Sequence, residues 1–298
     1  MKILTNPGAN LPPELVEHYG VSIMPQSIVV DGVEHDTRPG IPLADVDRWV
    51  EEASQFPYVL GTSAAEFAKQ FILSGAEDTD ILAVMSSRKI IQSHDAAVAA
   101  TRTLEHHPRG KALSIRVVDT TITDLGAGLA TVYAAEAAAA GHDLDSVAAM
   151  TQAFCDEARW MFALRTLSNM AKGGRASLLK VWFAHLLNVR PLLALVDGEV
   201  AAIGKYSTRD DHVAALLGAY ERPSRGPVWV GIGHGGDLES ARRLADMVRE
   251  RFDVRYVLVR SLSSSVYLHG GPGALTLCVF DLSSLDWMPP APPEVPYA

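Results

Sequence analysis

The feature that most constrains this chain is the alternation of short apolar runs with longer helical segments in its first half. The run Asp80–Met85 is apolar at its last five positions, and Ser114–Asp119 is a second strand-type run. The segments that follow them, residues 94–104 and 124–140, have the length and composition of helices. Strands without polar alternation, separated by helices, are typical of a parallel sheet covered on both faces. We therefore predict an N-terminal α/β/α domain with a parallel sheet.

The rest of the chain continues the α/β pattern. Further strands are predicted at residues 2–5, 21–30, 161–164, 191–196, 199–204, 228–232, 255–259 and 274–280. Further helices are predicted at residues 12–19, 42–53, 65–73, 145–157, 167–171, 177–187, 210–220 and 238–252. The Asp197-Gly198 pair predicts a hairpin between two of the strands. We divide the chain into domains at residues 1–155 and 156–284, followed by a Pro-rich tail at 285–298 that we expect to be loose.

Length and charge limit the function classes. A chain of 298 residues is long enough for two domains, and 48% hydrophobic residues allow a substantial core. The net charge of -9, without any block of Lys or Arg, argues against binding to nucleic acid or to anionic membranes. Two separate cysteines, no signal-like N-terminus and no run of about 18 apolar residues favour a soluble protein of the cytoplasm.

A glycine motif at residues 231–236 offers one functional reading. It matches G-x-G-x-x-G after a predicted strand and before a helix, as in dinucleotide sites, and Arg260 ends the next strand, where a 2′-phosphate could bind. However, a strand follows where a second crossover helix would be expected, and too little chain remains for a substrate domain. A tight strand-to-helix turn is the simpler interpretation.

Hydroxyl groups at predicted strand and helix ends offer a second reading. Thr62 and Ser63 precede a helix, and Ser86 and Ser87 follow the apolar strand Asp80–Met85. Because ligands of open parallel sheets bind beyond the carboxyl ends of the strands, these hydroxyls could bind a carboxylate or a phosphate. The alternative is that they only cap the helices that follow.

Two further segments carry candidate binding residues. Lys172 and Arg175 lie in a basic strip between residues 156 and 190, which fits either an acidic partner or a solvated helix face. His269 lies in a predicted glycine-rich turn, where it could donate to a carboxylate or serve a structural role. The sequence has no G-x-S-x-G elbow, no H-E-x-x-H, no Walker loop and no Cys/His cluster, so no catalytic set stands out.

Taken together, these segments resemble the DegV family of fatty-acid-binding proteins over nearly the whole chain. The similar motifs are Leu4-Thr5-Asn6 with Asn10-Leu11-Pro12, Gly61-Thr62-Ser63, Met85-Ser86-Ser87-Arg88, Val118-Asp119-Thr120, Lys172-Gly173-Gly174-Arg175, Leu187-Asn188-Val189-Arg190-Pro191, and His269-Gly270-Gly271-Pro272-Gly273-Ala274. Each motif is weak alone, but their common order is specific.

The resemblance implies a C-terminal α/β domain with a mixed sheet and an acyl chain buried between the two domains. It implies that Thr62, Ser63 and His269 hold the carboxylate. The family's S-G-T serine falls on Ile90 without gaps, whereas a two-residue gap aligns Ser93 with its Q-S serine. With Ser86 from the hydroxyl-rich segment, the predicted ligand residues are Thr62, Ser63, Ser86, Ser93 and His269.

The resemblance also implies a role. Such a protein is a carrier, not an enzyme, and needs no cofactor or metal. It presents a long-chain fatty acid to a dihydroxyacetone-kinase-like fatty acid kinase, with Arg175 and Lys172 as docking candidates. Two alternatives stay open: an NADP-binding oxidoreductase that uses the glycine motif, and a DegV-fold protein that has lost ligand binding.

Overall fold

The computed structural model describes residues 1–175, 188–209, 211–220 and 226–298. The helix predicted at residues 177–187 lies outside the described residues. The strands are β1 Lys2–Thr5, β2 Ser22–Ile23, β3 Ser27–Val30, β4 Val33–Asp36, β5 Tyr58–Leu60, β6 Asp80–Met85, β7 Ser114–Asp119, β8 Ala158–Ala163, β9 Val189–Val196, β10 Glu199–Ser207, β11 Pro227–His234, β12 Asp253–Ser261 and β13 Leu275–Asp281. The helices are α1 Pro13–Tyr19, α2 Leu43–Glu52, α3 Ala64–Ser74, α4 Ser93–Leu104, α5 Leu125–Ala139, α6 Leu144–Asp156, α7 Ser168–Met170 with a π-helical turn at Ala171–Arg175, α8 His212–Gly218, α9 Leu238–Arg251 and α10 Ser264–Gly270.

The N-terminal domain contains the predicted parallel sheet, with strand order β2-β1-β6-β7. On β6, Ile81 and Ala83 belong to the apolar cluster that also holds side chains of α3 and α4. Leu82 and Val84 belong to the cluster on the other face, which includes α5 and α6. Helices on both faces explain why the β6 sequence shows no polar alternation.

A small antiparallel sheet, with strand order β4-β3-β5, stands beside the parallel sheet. The single strand predicted at residues 21–30 is wrong, because Met24, Pro25 and Gln26 separate β2 from β3. Pro25 has no N–H to donate to a neighbouring strand, so it interrupts the strand there. The short strand β5 was not predicted.

The C-terminal domain contains a six-stranded mixed sheet, with strand order β10-β9-β8-β13-β11-β12. Only β11 and β12 pair in parallel, and the other neighbours are antiparallel. The hairpin between β9 and β10 turns at Asp197 (φ 49°) and Gly198 (φ 82°), as the Asp-Gly pair predicts. Helices α8 and α9 cover one face of this sheet, and the other face turns toward the N-terminal domain.

Helix α5 joins the two domains, because both large sheets pack against it. Twelve of its fifteen residues are buried. Three glycines allow the neighbouring segments to approach α5 closely: two lie in α5 itself and one lies in β11. A Cβ on Gly126 would lie 3.0 Å from Cys278 Sγ, one on Gly128 2.4 Å from the Ala9 carbonyl oxygen, and one on Gly231 2.9 Å from Leu125 Cβ. The Ala-rich composition of α5 therefore reflects its position between two sheets.

Two segments near the C-terminus differ from their predictions. His269 lies in the last turn of helix α10, not in a loop. The Pro-rich tail is held against β12, where the Tyr256 hydroxyl donates to the Pro293 carbonyl (3.1 Å) and the Ser261 N–H donates to the Ala298 carbonyl (2.7 Å). The expectation of a loose tail was wrong.

Candidate functional site

A cavity of about 830 Å³ opens beside the carboxyl ends of β1 and β6, between the two domains. We call it the head-group cavity. Its polar lining includes Asn6, Gln26, Thr62, Ser63, Gln92, Thr123, Lys172, Ser265 and His269. This position agrees with the rule that parallel sheets bind ligands beyond the carboxyl ends of their strands.

The predicted hydroxyls of the loop before α3 reach this cavity. The Thr62 side chain is buried and donates to the Pro25 carbonyl. The Ser63 side chain caps α3, because its oxygen accepts from the Glu66 N–H at 3.2 Å. Both residues also line the cavity. Capping and cavity lining therefore coexist at Ser63, whose O–H hydrogen stays available for another acceptor.

Of the two residues between which the possible alignments differ, Ile90 lines the head-group cavity and Ser93 does not. Ser93 is fully buried at the start of α4, and its Oγ lies 3.1 Å from the position that a Cβ on Gly61 would take. The Ser93 hydroxyl therefore lies directly behind the cavity wall at Gly61. Ile90 contributes an apolar wall instead.

Several buried polar atoms around this cavity lack a hydrogen-bond partner among the described residues. They are Asn6 Nδ2, both amide atoms of Gln26, Ser86 Oγ and Ser93 Oγ. A Cβ on Gly8, which lines the cavity, would lie 2.7 Å from Asn6 Nδ2 and 3.5 Å from Ser86 Oγ; Asn6 lines the cavity as well, whereas Ser86 lies behind Gly8 and does not. A buried polar group without a partner costs about 1–3 kcal/mol, which a bound acceptor would offset.

His269 connects the head-group cavity with the segment that contains Lys172. Its ring packs against Phe56, with centroids 5.8 Å apart, and a Cβ on Gly173 would lie 2.8 Å from its Nδ1. Lys172 Nζ lies 3.5 Å from the Val50 carbonyl oxygen and lines the same cavity. The side chain of Arg175 lies outside the described residues.

The head-group cavity continues into a smaller apolar pocket of about 80 Å³. The two spaces share Ile90, Thr123, Ser265, Val266 and His269. The remaining walls are mostly apolar and come from the C-terminal domain: Trp160, Phe162, Met170, Leu195, Val200, Leu262, Gly270, Ala274 and Thr276. The space between the domains is therefore polar at one end and apolar at the other, and the apolar end is much the smaller of the two.

The β9–β10 hairpin closes one side of the apolar pocket and is attached to the N-terminal domain. The Ser87 hydroxyl donates to the Gly198 carbonyl at 2.8 Å, and Lys89 Nζ lies 3.3 Å from Glu199 Oε1. Ser87 is thus a contact between domains and not a lining residue of either cavity. The Ser87–Gly198 and Lys89–Glu199 contacts hold Leu195 and Val200 opposite Ile90.

The glycine motif at residues 231–236 serves packing. Gly231 and Gly233 lie inside β11, where a Cβ on Gly233 would lie 2.5 Å from Thr276 Oγ1. The next helix, α9, begins after Asp237, whose carboxylate accepts from the Ser240 N–H at 3.0 Å. A carboxylate at this helix start occupies the donors that a pyrophosphate would need. The motif therefore lacks the geometry of a dinucleotide site.

The described part of the chain was also searched for metal sites, reactive cysteines and membrane-spanning helices. Within residues 1–175, 188–209, 211–220 and 226–298, no group of three His, Cys, Asp or Glu side chains could hold a metal ion. Cys155 and Cys278 are free and buried, and burial raises the pKa of both thiols. None of the described helices combines the length and the apolar character needed to cross a membrane.

Comparison with known proteins gives consistent matches. The family model described as "Uncharacterised protein, DegV family" matches residues 1–282. A DegV domain-containing protein of Streptomyces coelicolor is 28% identical over 285 residues, which cover 93% of this chain and 97% of that protein. One from Mycobacterium tuberculosis is 27% identical over 282 residues, covering 93% of this chain and 96% of that protein.

Solved structures share the fold at lower identity. One is the structure of a fatty-acid-binding DegV family protein from Thermus thermophilus. It superposes on this chain with a TM-score of 0.82 at 23% identity, and the match covers 94% of this chain and 99% of the Thermus chain. A Eubacterium eligens DegV family protein loaded with heptadecanoic acid superposes with a TM-score of 0.80 at 18% identity, again covering 94% and 99%. These neighbours confirm the predicted two-domain α/β architecture.

Proposed function

Because the chain belongs to the DegV family, we propose that it binds a long-chain fatty acid between its two domains and presents the carboxylate to a kinase partner. The observation that carries the proposal is the continuous space in which the polar head-group cavity meets the apolar pocket. A fatty acid has the same division into a polar end and an apolar end. Each buried methylene contributes about 0.8 kcal/mol, so the tail supplies affinity and the polar groups orient the head.

We assign the carboxylate to the cluster of neutral donors. Asn6 and Gln26, whose side chains have partnerless amide atoms, line the head-group cavity together with Ser63 and His269. The partnerless hydroxyls of Ser86 and Ser93 lie behind its wall, next to Gly8 and Gly61. Thr62 also lines the cavity, but its hydroxyl hydrogen is donated to the Pro25 carbonyl, so it contributes as an acceptor and by its shape. Neutral N–H and O–H groups suit a carboxylate that must later react, because they hold the anion without a tight ion pair. No metal or cofactor is needed for this role, and the protein itself carries out no chemistry in it.

Mass spectrometry of extracted lipid tests the binding. Protein purified from cells is expected to carry a fatty acid at close to one equivalent, and delipidated protein is expected to bind a fluorescent fatty acid again. Ser93→Ala should weaken this binding about 10-fold or more, because it removes a hydrogen bond to a charged group. Ser146→Ala is the matched control, since the Ser146 hydroxyl bonds only to exposed Asp143 at 2.9 Å. Protein that carries no lipid and refuses every long-chain acid would end the proposal.

We further propose that a dihydroxyacetone-kinase-like protein acts on the bound acid. Such a kinase would transfer the γ-phosphoryl group of ATP to a carboxylate oxygen, giving an acyl phosphate and ADP. Lys172 supports this idea, because it places a cation beside the open side of the head-group cavity and near His269. Arg175, the second residue predicted for docking, remains a candidate on its sequence position. A cytoplasmic location suits an ATP-dependent partner and the two free thiols.

A docking role for Lys172 predicts a specific kinetic change. With the kinase supplied, Lys172→Glu should raise the KM for the loaded carrier at least several-fold beyond any change in the Kd for fatty acid, which is measured in parallel because Lys172 also lines the head-group cavity. Lys69→Glu is the control, because Lys69 lies on α3 beside Glu66, away from the cavity lining. An unchanged KM would remove Lys172 from the docking surface.

A further inference from the structure

A second cavity, of about 410 Å³, lies next to the head-group cavity and shares Asn6 and Ser265 with it. We call it the arginine cavity. Its volume falls within the range of small-molecule sites, about 300–1,000 Å³. Its lining comprises Asn6, Pro7, Asn10, Leu11, Pro13, Val16, Ile23, Thr37, Arg38, Pro39, Gly40, Ile41, Pro42, Leu43, Arg260, Ser261, Leu262, Ser263, Ser264 and Ser265.

The charged side chains that line this cavity all have the same sign. Two of the lining residues, Arg38 and Arg260, are cations, and none is an acid. This is notable in a chain whose net charge is -9. A concave surface with one sign of charge concentrates ions of the opposite sign. The arginine cavity is therefore suited to an anion.

The two arginines differ in how they are paired. Arg38 binds Asp36 through two nitrogens, with its Nε 2.9 Å from Oδ2. The Arg260 backbone belongs to the ladder between β11 and β12, but its side chain makes no hydrogen bond or ion pair with any residue that the structure describes. Burial lowers its pKa, and the charges of Glu14 and Asp124 act on it in the opposite direction without direct contact. A partly buried guanidinium normally has a bound partner, so Arg260 is the group that an anion would neutralise.

The remaining walls define what the anion carries. Ser263, Ser264 and Ser265 supply hydroxyls on the side of α10, while the Asn10 amide is engaged by the Ser261 carbonyl at 2.9 Å. The opposite side is apolar, formed by Leu11, Pro13, Val16, Ile23, Ile41, Pro42 and Leu43. A ligand that matches both sides has one charged group and one compact apolar group.

We infer that the arginine cavity is a second ligand site, which binds a small organic anion, either a phosphate monoester or a carboxylate, with its charged group on Arg260 and its apolar group against Leu11, Val16 and Ile41. The arginine cavity meets the space assigned to the fatty acid at Asn6, Leu262 and Ser265, whereas Arg260 lines only the arginine cavity. Variants of Arg260 therefore test this site apart from fatty acid binding.

Thermal unfolding with three matched aromatic probes tests the site. Phenyl phosphate and benzoate carry the two candidate charged groups, and benzamide is the neutral analogue. At millimolar concentration and constant ionic strength, at least one anion is expected to raise the Tm by about 2 °C or more, while benzamide leaves it unchanged. The anion that gives the larger shift identifies the preferred class.

Variants on the same strand make the test specific. Arg260→Gln should lose the shift, and Arg260→Lys should keep part of it because the charge remains. Arg255→Gln is the matched control, since Arg255 also lies on β12 but pairs with Asp253 at 3.0 Å outside the cavity. Fatty acid binding should be unchanged in all three variants. No shift with either anion, or equal shifts in the wild type and in Arg260→Gln, would overturn the inference whether or not fatty acid binds.

Discussion

At the scale of single residues, Trp160 limits the apolar end of the site. It is 4% exposed, packs against Phe162 with centroids 5.0 Å apart, and lines the apolar pocket. Its Cδ1 lies 3.2 Å from the position of a Cβ on Gly126, so the indole fills the space between β8 and α5. If the proposed fatty acid is bound, the size of this side chain should set how far its tail can extend toward α5.

Shortening Trp160 should change chain-length preference. We expect Trp160→Ala to improve binding of arachidate relative to myristate by about tenfold or more, because the freed space buries additional methylenes. Displacement of a fluorescent fatty acid by each acid measures the ratio. Trp229→Ala is the control, since Trp229 is fully buried but lines neither cavity. A Trp160→Ala protein with the wild-type ratio would show that the tail ends elsewhere.

Asp124 is a buried acid whose ionisation opposes folding. Burial raises its pKa to about 6, although its Oδ1 accepts from the Ser263 N–H at 3.0 Å. The folded protein therefore holds a proton that the unfolded chain releases near the ordinary pKa of 3.8. Between these two pH values the free energy of unfolding should fall as the pH rises, by up to about 3 kcal/mol in total.

Replacing Asp124 with Asn should remove this pH dependence. Urea unfolding of the wild type and of Asp124→Asn at pH 4.5, 6 and 8 compares the slopes, and the wild type should lose stability relative to the variant as the pH rises through about 6. Asp246→Asn is a control for the loss of a carboxylate at the surface, because the Asp246 side chain is 75% exposed. Parallel pH profiles for the wild type and Asp124→Asn would contradict the assignment.

The sequence predicts part of the site and misses the rest for a physical reason. Thr62, Ser63 and His269 fall on motifs and line the head-group cavity. Ser93 and Ile90 come from two possible alignments; Ile90 lines the cavity, and Ser93 lies behind its wall at Gly61 and stays a prediction. Asn6 and Gln26 were missed, because an amide without a partner is recognised only from its surroundings. The available signal was that Asn6 directly follows the carboxyl end of β1.

At the scale of elements, α5 shows what composition can predict. A helix that is apolar around nearly its whole circumference is expected to be buried on nearly all sides. Helix α5 meets this expectation, since twelve of its fifteen residues are buried. Shorter elements escaped prediction. Strand β5 has three residues and is largely exposed, and α10 has seven residues that end at a glycine pair, so neither is long enough to show a period.

A methyl group on Gly128 tests the tight packing of α5. Gly128→Ala would place its Cβ 2.4 Å from the Ala9 carbonyl oxygen, so the backbone must shift. We expect a loss of about 1–3 kcal/mol in the free energy of unfolding. Gly218→Ala, on α8, has no atom within 4 Å of its new Cβ and should be neutral or stabilising by up to about 1 kcal/mol. Denaturant unfolding compares them, and equal effects would mean that the close approach at Gly128 is relaxed in solution.

At the scale of the whole molecule, the two domains share one apolar core. The cluster around α5 includes Ile3 and Val84 from the N-terminal sheet together with Trp229 and Phe280 from the C-terminal sheet. Neither domain can expose its side of this cluster without a large loss of buried apolar area. Near residue 155, where we predict the domain boundary, the chain passes from α6 to β8 with only Glu157 between them.

This shared core predicts cooperative unfolding. Calorimetry of the delipidated protein should give a single transition whose calorimetric and van't Hoff enthalpies agree, because neither sheet keeps its core once α5 leaves. The near-ultraviolet signal of the aromatic group Tyr133, Phe154 and Trp229 should disappear at the same temperature as the helical signal. Two separated transitions would show that each domain is stable alone.

The tail that follows β13 has a consequence for association between molecules. Strand β12 is one outer strand of the six-stranded sheet. Near its carboxyl end the Ser261 N–H donates to the Ala298 carbonyl and the Ala298 N–H donates to the Val259 carbonyl, so the tail covers this part of the edge. The opposite outer strand, β10, has an irregularity between Ala202 and Gly204 and a lysine at 205. Bulges, charges and covering segments all discourage a neighbouring chain from adding a strand. Both outer strands of the larger sheet are thereby protected against edge-to-edge aggregation.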